Sequence, residues 1–191
     1  MSRRKTFLAG SIALIVAVSL LTGCGSDQDR AADLSRKGDA LLDQVKAEGA
    51  ALSDAVGGVF SQLSSSLSSG GKPNTEVLAS GMAGVESSIT KVRNQAERAR
   101  SYYKEIESLS GVEDYARYAA TQIRVIDTSL AGLNALDGLL KKTLAMARAP
   151  SFDAPAFMAV AQQSAEQLKK IGEHTAALER QAEQLKKEKH L

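Results

Sequence analysis

One cysteine, three prolines, two histidines and no tryptophan occur in 191 residues. Each scarcity removes a class of explanation. A single thiol cannot close an internal disulfide, so packing alone must hold the fold. Covalent haem attachment, which needs Cys-x-x-Cys-His, is excluded for the same reason. A di-iron centre of the helical-bundle kind needs Glu-x-x-His pairs on facing helices, and neither His174 nor His190 has a Glu three residues before it. Glu173 precedes His174 directly and so points to another helix face, which makes His174 a solvated or boundary residue. A basic surplus, the footprint of a nucleic-acid binder, is also missing: the formal charge is only +2. Pro73, Pro150 and Pro155 all fall where the apolar periodicity breaks, so proline punctuates the chain and does not interrupt its segments.

The cysteine has a distinctive place. Arg3, Arg4 and Lys5 are followed by Phe7 to Leu21 without a charge, then by Thr22, Gly23 and Cys24. A basic start, a short apolar run and a small-residue site make a secretion signal; the run is shorter than the ~20 residues a spanning helix needs. Leu21-Thr22-Gly23-Cys24 resembles the lipobox of bacterial lipoproteins. The resemblance covers residues 1–24 alone. It implies cleavage between Gly23 and Cys24, a diacylglycerol on the Cys24 sulfur and an N-acyl chain on the new amino terminus, and two or three chains anchor stably where one is marginal. Ser2-Arg3-Arg4 touches on a twin-arginine export signal, but Phe7 and Leu8 come one residue late for it, so the general secretion route is expected. Gly25, where Asp would mark inner-membrane retention in enteric-type diderm bacteria, implies outer-membrane delivery in such a cell, and otherwise the extracytoplasmic face of the cell membrane.

Cleavage there removes three basic residues from 24 and no acidic residue from 22, leaving a net charge of about −1. What remains is rich in Ala, Ser, Leu, Gln, Glu and Lys, the composition of long helices. Residues 24–28 read as a short tether and 29–191 as one helical domain, with helices at about 29–68, 75–109, 112–149 and 154–188. In the first, Leu34, Gly38, Leu41, Val45, Gly49, Leu52, Val56, Val59 and Leu63 recur at three and four, one face of a helix. "SSSLSSGGKPN" breaks the pattern; its Gly70-Gly71-Lys72 lacks the rest of a phosphate loop and reads as a linker. The second helix keeps the alternation through Leu78, Met82, Val85, Ile89, Val92, Ala96, Ala99, Tyr103 and Ile106, a heptad stripe. Gly111 suits a helix end, and Ser110 with Glu113 has the spacing of a capping box. The third helix carries Ala119, Ile123, Ile126, Leu130, Leu133, Leu136, Leu140 and Leu144. Asp153 is a plausible N-cap with Pro155 in the first turn, and Phe157, Ala161, Ser164, Leu168, Ile171, Thr175, Leu178, Ala182 and Leu185 form the fourth stripe.

Four helices of similar length with short connections predict an all-α fold, an elongated antiparallel up-down-up-down four-helix bundle. The alternative is a three-helix bundle with a detached first helix, because Gly49, Gly57 and Gly58 each weaken that helix by about 1 kcal/mol against Ala. No catalytic, metal or cofactor-binding residues are expected: the carboxylates lie beside Lys and Arg on solvated faces, and Asp127 and Asp137 sit at the stripe boundary of the third helix. Tyr102, Tyr103, Tyr115 and Tyr118 all fall around one turn, at the end where Lys186, Lys187, Lys189 and His190 finish the chain. Tyrosines and lysines suit a bilayer surface, so this end is a possible membrane contact; capping of the bundle core by the amphipathic rings is the simpler reading. The functional expectation is a membrane-anchored, non-enzymatic helical interaction or structural module of the bacterial envelope, with an envelope protein as partner and no nucleic acid. The alternative is a small-ligand or envelope-stress sensing protein with a pocket between helices.

Overall fold

The computed structural model of the chain describes residues 6–68 and 74–191, with side chains over 27–66 and 74–191. Four helices occur there: α1 (Thr6–Ser68), α2 (Thr75–Glu107), α3 (Glu113–Arg148) and α4 (Ala154–Lys189). They form an all-α four-helix bundle. α1 is continuous over 63 residues, so residues 24–28, expected as a tether, are helical backbone. The Cys24 side chain and the surroundings of Gly23, on which the lipid and cleavage readings rest, lie outside the described set, as does the linker reading of Gly70 to Lys72.

The direction of the helices is written in their cross-links. Arg30 pairs with Glu105 and Lys91 with Glu48, so α1 and α2 run opposite ways. Arg100 pairs with Asp127 at 2.8 Å and Arg93 donates to Asn134 at 3.0 Å, which gives α2 and α3 the same relation. Lys189 meets Asp114 at 3.2 Å at one end of the α3–α4 pair, while Ile171 lies against Gly132 near its middle. At 1.5 Å per residue, α2, α3 and α4 are each about 50 Å long.

Local chemistry starts these helices well. The Asn74 side chain accepts from the backbone N–H of Glu76 and Val77 at 3.0 and 3.2 Å, filling two of the donors that a helix start leaves open. Asp153 does the same for Ala156 at 2.9 Å, with Pro155 in the first turn as expected. The capping box does not form. α3 starts from Val112, which makes no side-chain cap and is buried at 4% exposure. Drawing that apolar side chain into the core puts Glu113 at the first helical position, too early to reach back to Ser110. Gly111 supplies the positive φ of 68° that the turn needs, and the Ser110 N–H donates instead to Asp27 at 3.3 Å.

The helices do not surround one another evenly. α2 packs against α1 on one side and α3 on the other, and α4 packs against α3. All nine predicted stripe residues of α2 are buried. On α4 only Phe157, Leu178 and Ala182 are buried, and the other stripe positions are half-exposed. The reason is that α4 and α1 do not close on each other as α1 and α2 do. A seam is left between them, floored by α3. Along its length the core falls into two clusters: one around Leu34, Ala99, Tyr103 and Ile126, the other around Leu63, Val85, Ile89 and Leu140.

Candidate functional site

The α1–α4 seam is where polar chemistry collects. Asp39, one position past the buried stripe residue Gly38, is only 19% exposed. Its Oδ1 accepts from the hydroxyls of Tyr103 at 2.6 Å and Tyr118 at 2.7 Å. Its Oδ2 accepts from the Lys186 ammonium. One carboxylate therefore touches a side chain from each of the other three helices. Gly38 makes room for this: a Cβ there would lie 2.6 Å from Tyr103 Cζ, so no other residue lets the ring rest on α1.

The rings are fixed as well as bonded. Tyr103 and Tyr118 meet edge to face, 6.1 Å between centroids and 78° apart, a favoured aromatic geometry. The Lys186 ammonium lies 5.8 Å from the Tyr118 centroid, within cation–π range. Gln122 Nε2 donates to the Tyr118 hydroxyl oxygen at 2.7 Å, so that oxygen both gives and receives. Burial pushes both phenols well above the ordinary tyrosine range, and the Asp39 charge beside them adds to it; phenolate would be desolvated next to a carboxylate. Both rings stay neutral hydrogen-bond donors through the physiological range.

This placement corrects one expectation. Tyr103 and Tyr118 are buried, at 0% and 2% exposure, so they are not a membrane-surface contact; their hydroxyls are satisfied inside by Asp39. Tyr102 and Tyr115 are half-buried against the same cluster. Of the lysines, Lys186 is committed to Asp39 and Lys189 to Asp114, whereas Lys187 is exposed. The tyrosines and lysines do gather at one end of the bundle, and the residue that gathers them, Asp39, is the one the sequence reading missed. Its signal was local: an acid directly after a stripe glycine, at the level where the register with α2 puts Tyr103.

Two recesses open along the seam. The first, about 190 Å³, lies beside the junction, with Asp43 and Lys46 on α1, Gln122 on α3, and Glu179 and Glu183 on α4 among its walls. Lys46 and Glu179 bridge the seam at 3.5 Å. The second, about 510 Å³, lies farther from the junction and is almost wholly apolar, walled by Val56, Phe60, Leu136, Leu139 and Leu168 with Met158 at its mouth. Met158 is 59% exposed. Both recesses are open to solvent.

The other singled-out residues have structural duties. His174 is exposed. His190 takes a left-handed conformation (φ 54°) and caps α4, its N–H donating to the Lys186 carbonyl. Asp127 and Asp137 are the boundary residues expected, paired with Arg100 and with Lys141 at 2.7 Å. Among the described residues, no three His, Cys, Asp or Glu side chains converge as a metal ion would need, and no helix is long and apolar enough to cross a membrane. Comparison of the chain with protein-family models, with characterised proteins and with solved structures finds no match.

Proposed function

We propose that this chain is a lipid-anchored lipoprotein of the bacterial envelope, acylated at Cys24 and held on the outer side of a membrane, where its bundle serves as a non-enzymatic interaction module. The observation that carries this is Leu21-Thr22-Gly23-Cys24 after a basic start and a short apolar run. The geometry just downstream supports it. Asp27, three residues past the cysteine, is already bonded to the α2–α3 turn, and Arg30 to Glu105. An anchor at Cys24 would thus hold the bundle end close to the bilayer, and the long exposed faces of α1, α2 and α4 would stand outward for a protein partner.

The test is mass spectrometry of the N-terminal peptide from membranes of the native host, with Cys24→Ala as the comparison. A diacylglyceryl, N-acylated Cys24, lost in the variant together with membrane retention, supports the reading. An unmodified thiol or a retained residue 1–23 segment overturns it. Crosslinking of the intact chain in the envelope then identifies the partner.

The two recesses favour a second reading, that of a small-ligand or stress-sensing protein using the space between α1 and α4. Its test is ligand uptake by the seam, independent of the anchor.

A further inference from the structure

α4 is joined to α1 in two different ways along the seam. In its second half the ties are charges, Lys186 to Asp39 and Glu179 to Lys46. In its first half they are apolar. The larger recess lies there, walled by Val56 and Phe60 of α1, Leu136 and Leu139 of α3, and Met158 and Leu168 of α4. Because α1 and α4 do not close on each other, side chains alone span the seam at this level.

The methionine in that wall differs from the others described. Met82 is buried at 2% exposure and Met146 is half-buried, whereas Met158 is 59% exposed. Among the described residues, only Val77 is another large apolar side chain left so open. A thioether sulfur has no proton to lose, so its oxidation is governed by access and not by pH. Met158 is thus both the methionine that solvent reaches and a wall of the apolar recess.

We infer that Met158 is a reversible oxidation site that sets how firmly the first half of α4 lies against α1. The oxidant is a peroxide: the sulfur lone pair attacks one peroxide oxygen, the O–O bond breaks as the S–O bond forms, and the departing hydroxide takes a proton from solvent and leaves as water. Sulfur is oxidised and the peroxide reduced. The product is a polar sulfoxide among valine, phenylalanine and leucine walls, where a dipole without a donor is unfavourable. Gln162 is the only polar side chain among those walls and is exposed. It stands four residues on, beside Met158 on the same helix face, and its carboxamide N–H groups are donors for the sulfoxide oxygen. The oxidised side chain therefore turns toward Gln162 and solvent, and Val56 and Phe60 lose their cover. A sulfoxide reductase reverses the step with a dithiol, which carries the oxygen off as water and is left as a disulfide. This gives the stress-sensing reading a stimulus, yet it needs neither a bound ligand nor acylation at Cys24.

The test treats the full chain, in an uncharged detergent, with hydrogen peroxide and follows it by peptide mass spectrometry and amide hydrogen exchange. Met158 should gain one oxygen well before Met82 or Met146. Once it has, exchange over residues 156–168 should quicken about tenfold while exchange over α2 stays as it was, and a sulfoxide reductase with dithiothreitol should restore the parent rate. Met158→Leu keeps the volume without an oxidisable sulfur and should not respond. Met158→Gln carries the polarity without oxidant and should exchange as the oxidised parent does. Oxidation of Met82 or Met146 as early as Met158 overturns the site. Exchange over 156–168 that is unchanged with Met158 fully oxidised, or that quickens equally in Met158→Leu under peroxide, overturns the effect on α4. Either failure leaves the pocket reading to its own test, ligand uptake by the unoxidised chain.

Discussion

α2 and α4 carry the same alternation of three and four across nine stripe positions, each begins from a side-chain cap, and they are 33 and 36 residues long. They end in different situations: every stripe residue of α2 is buried, and three of α4 are. The difference lies in the neighbours. α2 sits between α1 and α3, while α4 leans on α3 and faces α1 across an open seam. Periodicity states which side of a helix turns inward; how many helices stand there to receive it is a property of the assembly. α4 is thus the helix whose docking depends most on polar ties, Lys186 to Asp39, Lys46 to Glu179 and Lys189 to Asp114.

The most forceful way to break this contrast is to truncate matched residues. Ile89→Ala in α2, at 1% exposure, should cost about 2–5 kcal/mol, whereas Ile171→Ala in the half-exposed stripe of α4 should cost about 1 kcal/mol; urea unfolding of the two variants checks the ratio. Equal losses would mean that α4 is as enclosed as α2.

Next in size is the seat of Tyr103 on α1. Gly38→Ala places a methyl 2.6 Å from Cζ of a ring whose hydroxyl is held, and overpacking of this kind costs about 1–3 kcal/mol. Adding Tyr103→Leu should recover part of the loss, which a merely propensity-based effect of Gly38 would not allow.

Alkali should act on the central helices before α4. The phenols of Tyr103 and Tyr118 are raised in the folded chain by burial, then by Asp39. The folded state therefore keeps protons that the unfolded chain releases. Their stabilising effect is complete below the unfolded tyrosine value near 10 and is lost as pH rises above it, by about 1.4 kcal/mol per pH unit for each buried tyrosine. Unfolding followed between pH 9 and 12 should show that slope, halved in Tyr118→Phe.

The smallest effects come from Gly172 and Gly81. A Cβ on Gly172 of α4 would have nothing within 4 Å, while one on Gly81 of α2 would meet Val59 Cγ2 at 3.0 Å. Gly172→Ala should raise the midpoint of thermal unfolding, by up to about 1 kcal/mol of stability; Gly81→Ala should gain less or lose.

Much of this architecture is legible in the sequence because it is local. The four stripes, the Asp153 cap and the Pro155 start need only neighbours within a turn or two. α2 reads without error because its stripe is fully enclosed. What escapes is whatever depends on distant segments. Ser110 and Glu113 have capping-box spacing, but the burial of Val112 decides the helix start. Tyr103 and Tyr118 can be read as core caps or as a membrane contact, and what decides between the two is Asp39, 64 and 79 positions away. The open seam could not be read at all, since an amphipathic fourth helix looks the same whether it has one packing partner or two.

Asp39 also has a consequence in time. Its partners lie 64, 79 and 147 residues farther along the chain, so on a polypeptide made from its N-terminus the carboxylate has no complete set of donors until almost the last turn of α4 exists. The full set closes only when all four helices are in place. Loss of that side chain should therefore leave the folding rate nearly untouched and show itself as faster unfolding, which makes Asp39 less a nucleus than a clasp, fastened once the bundle has been assembled.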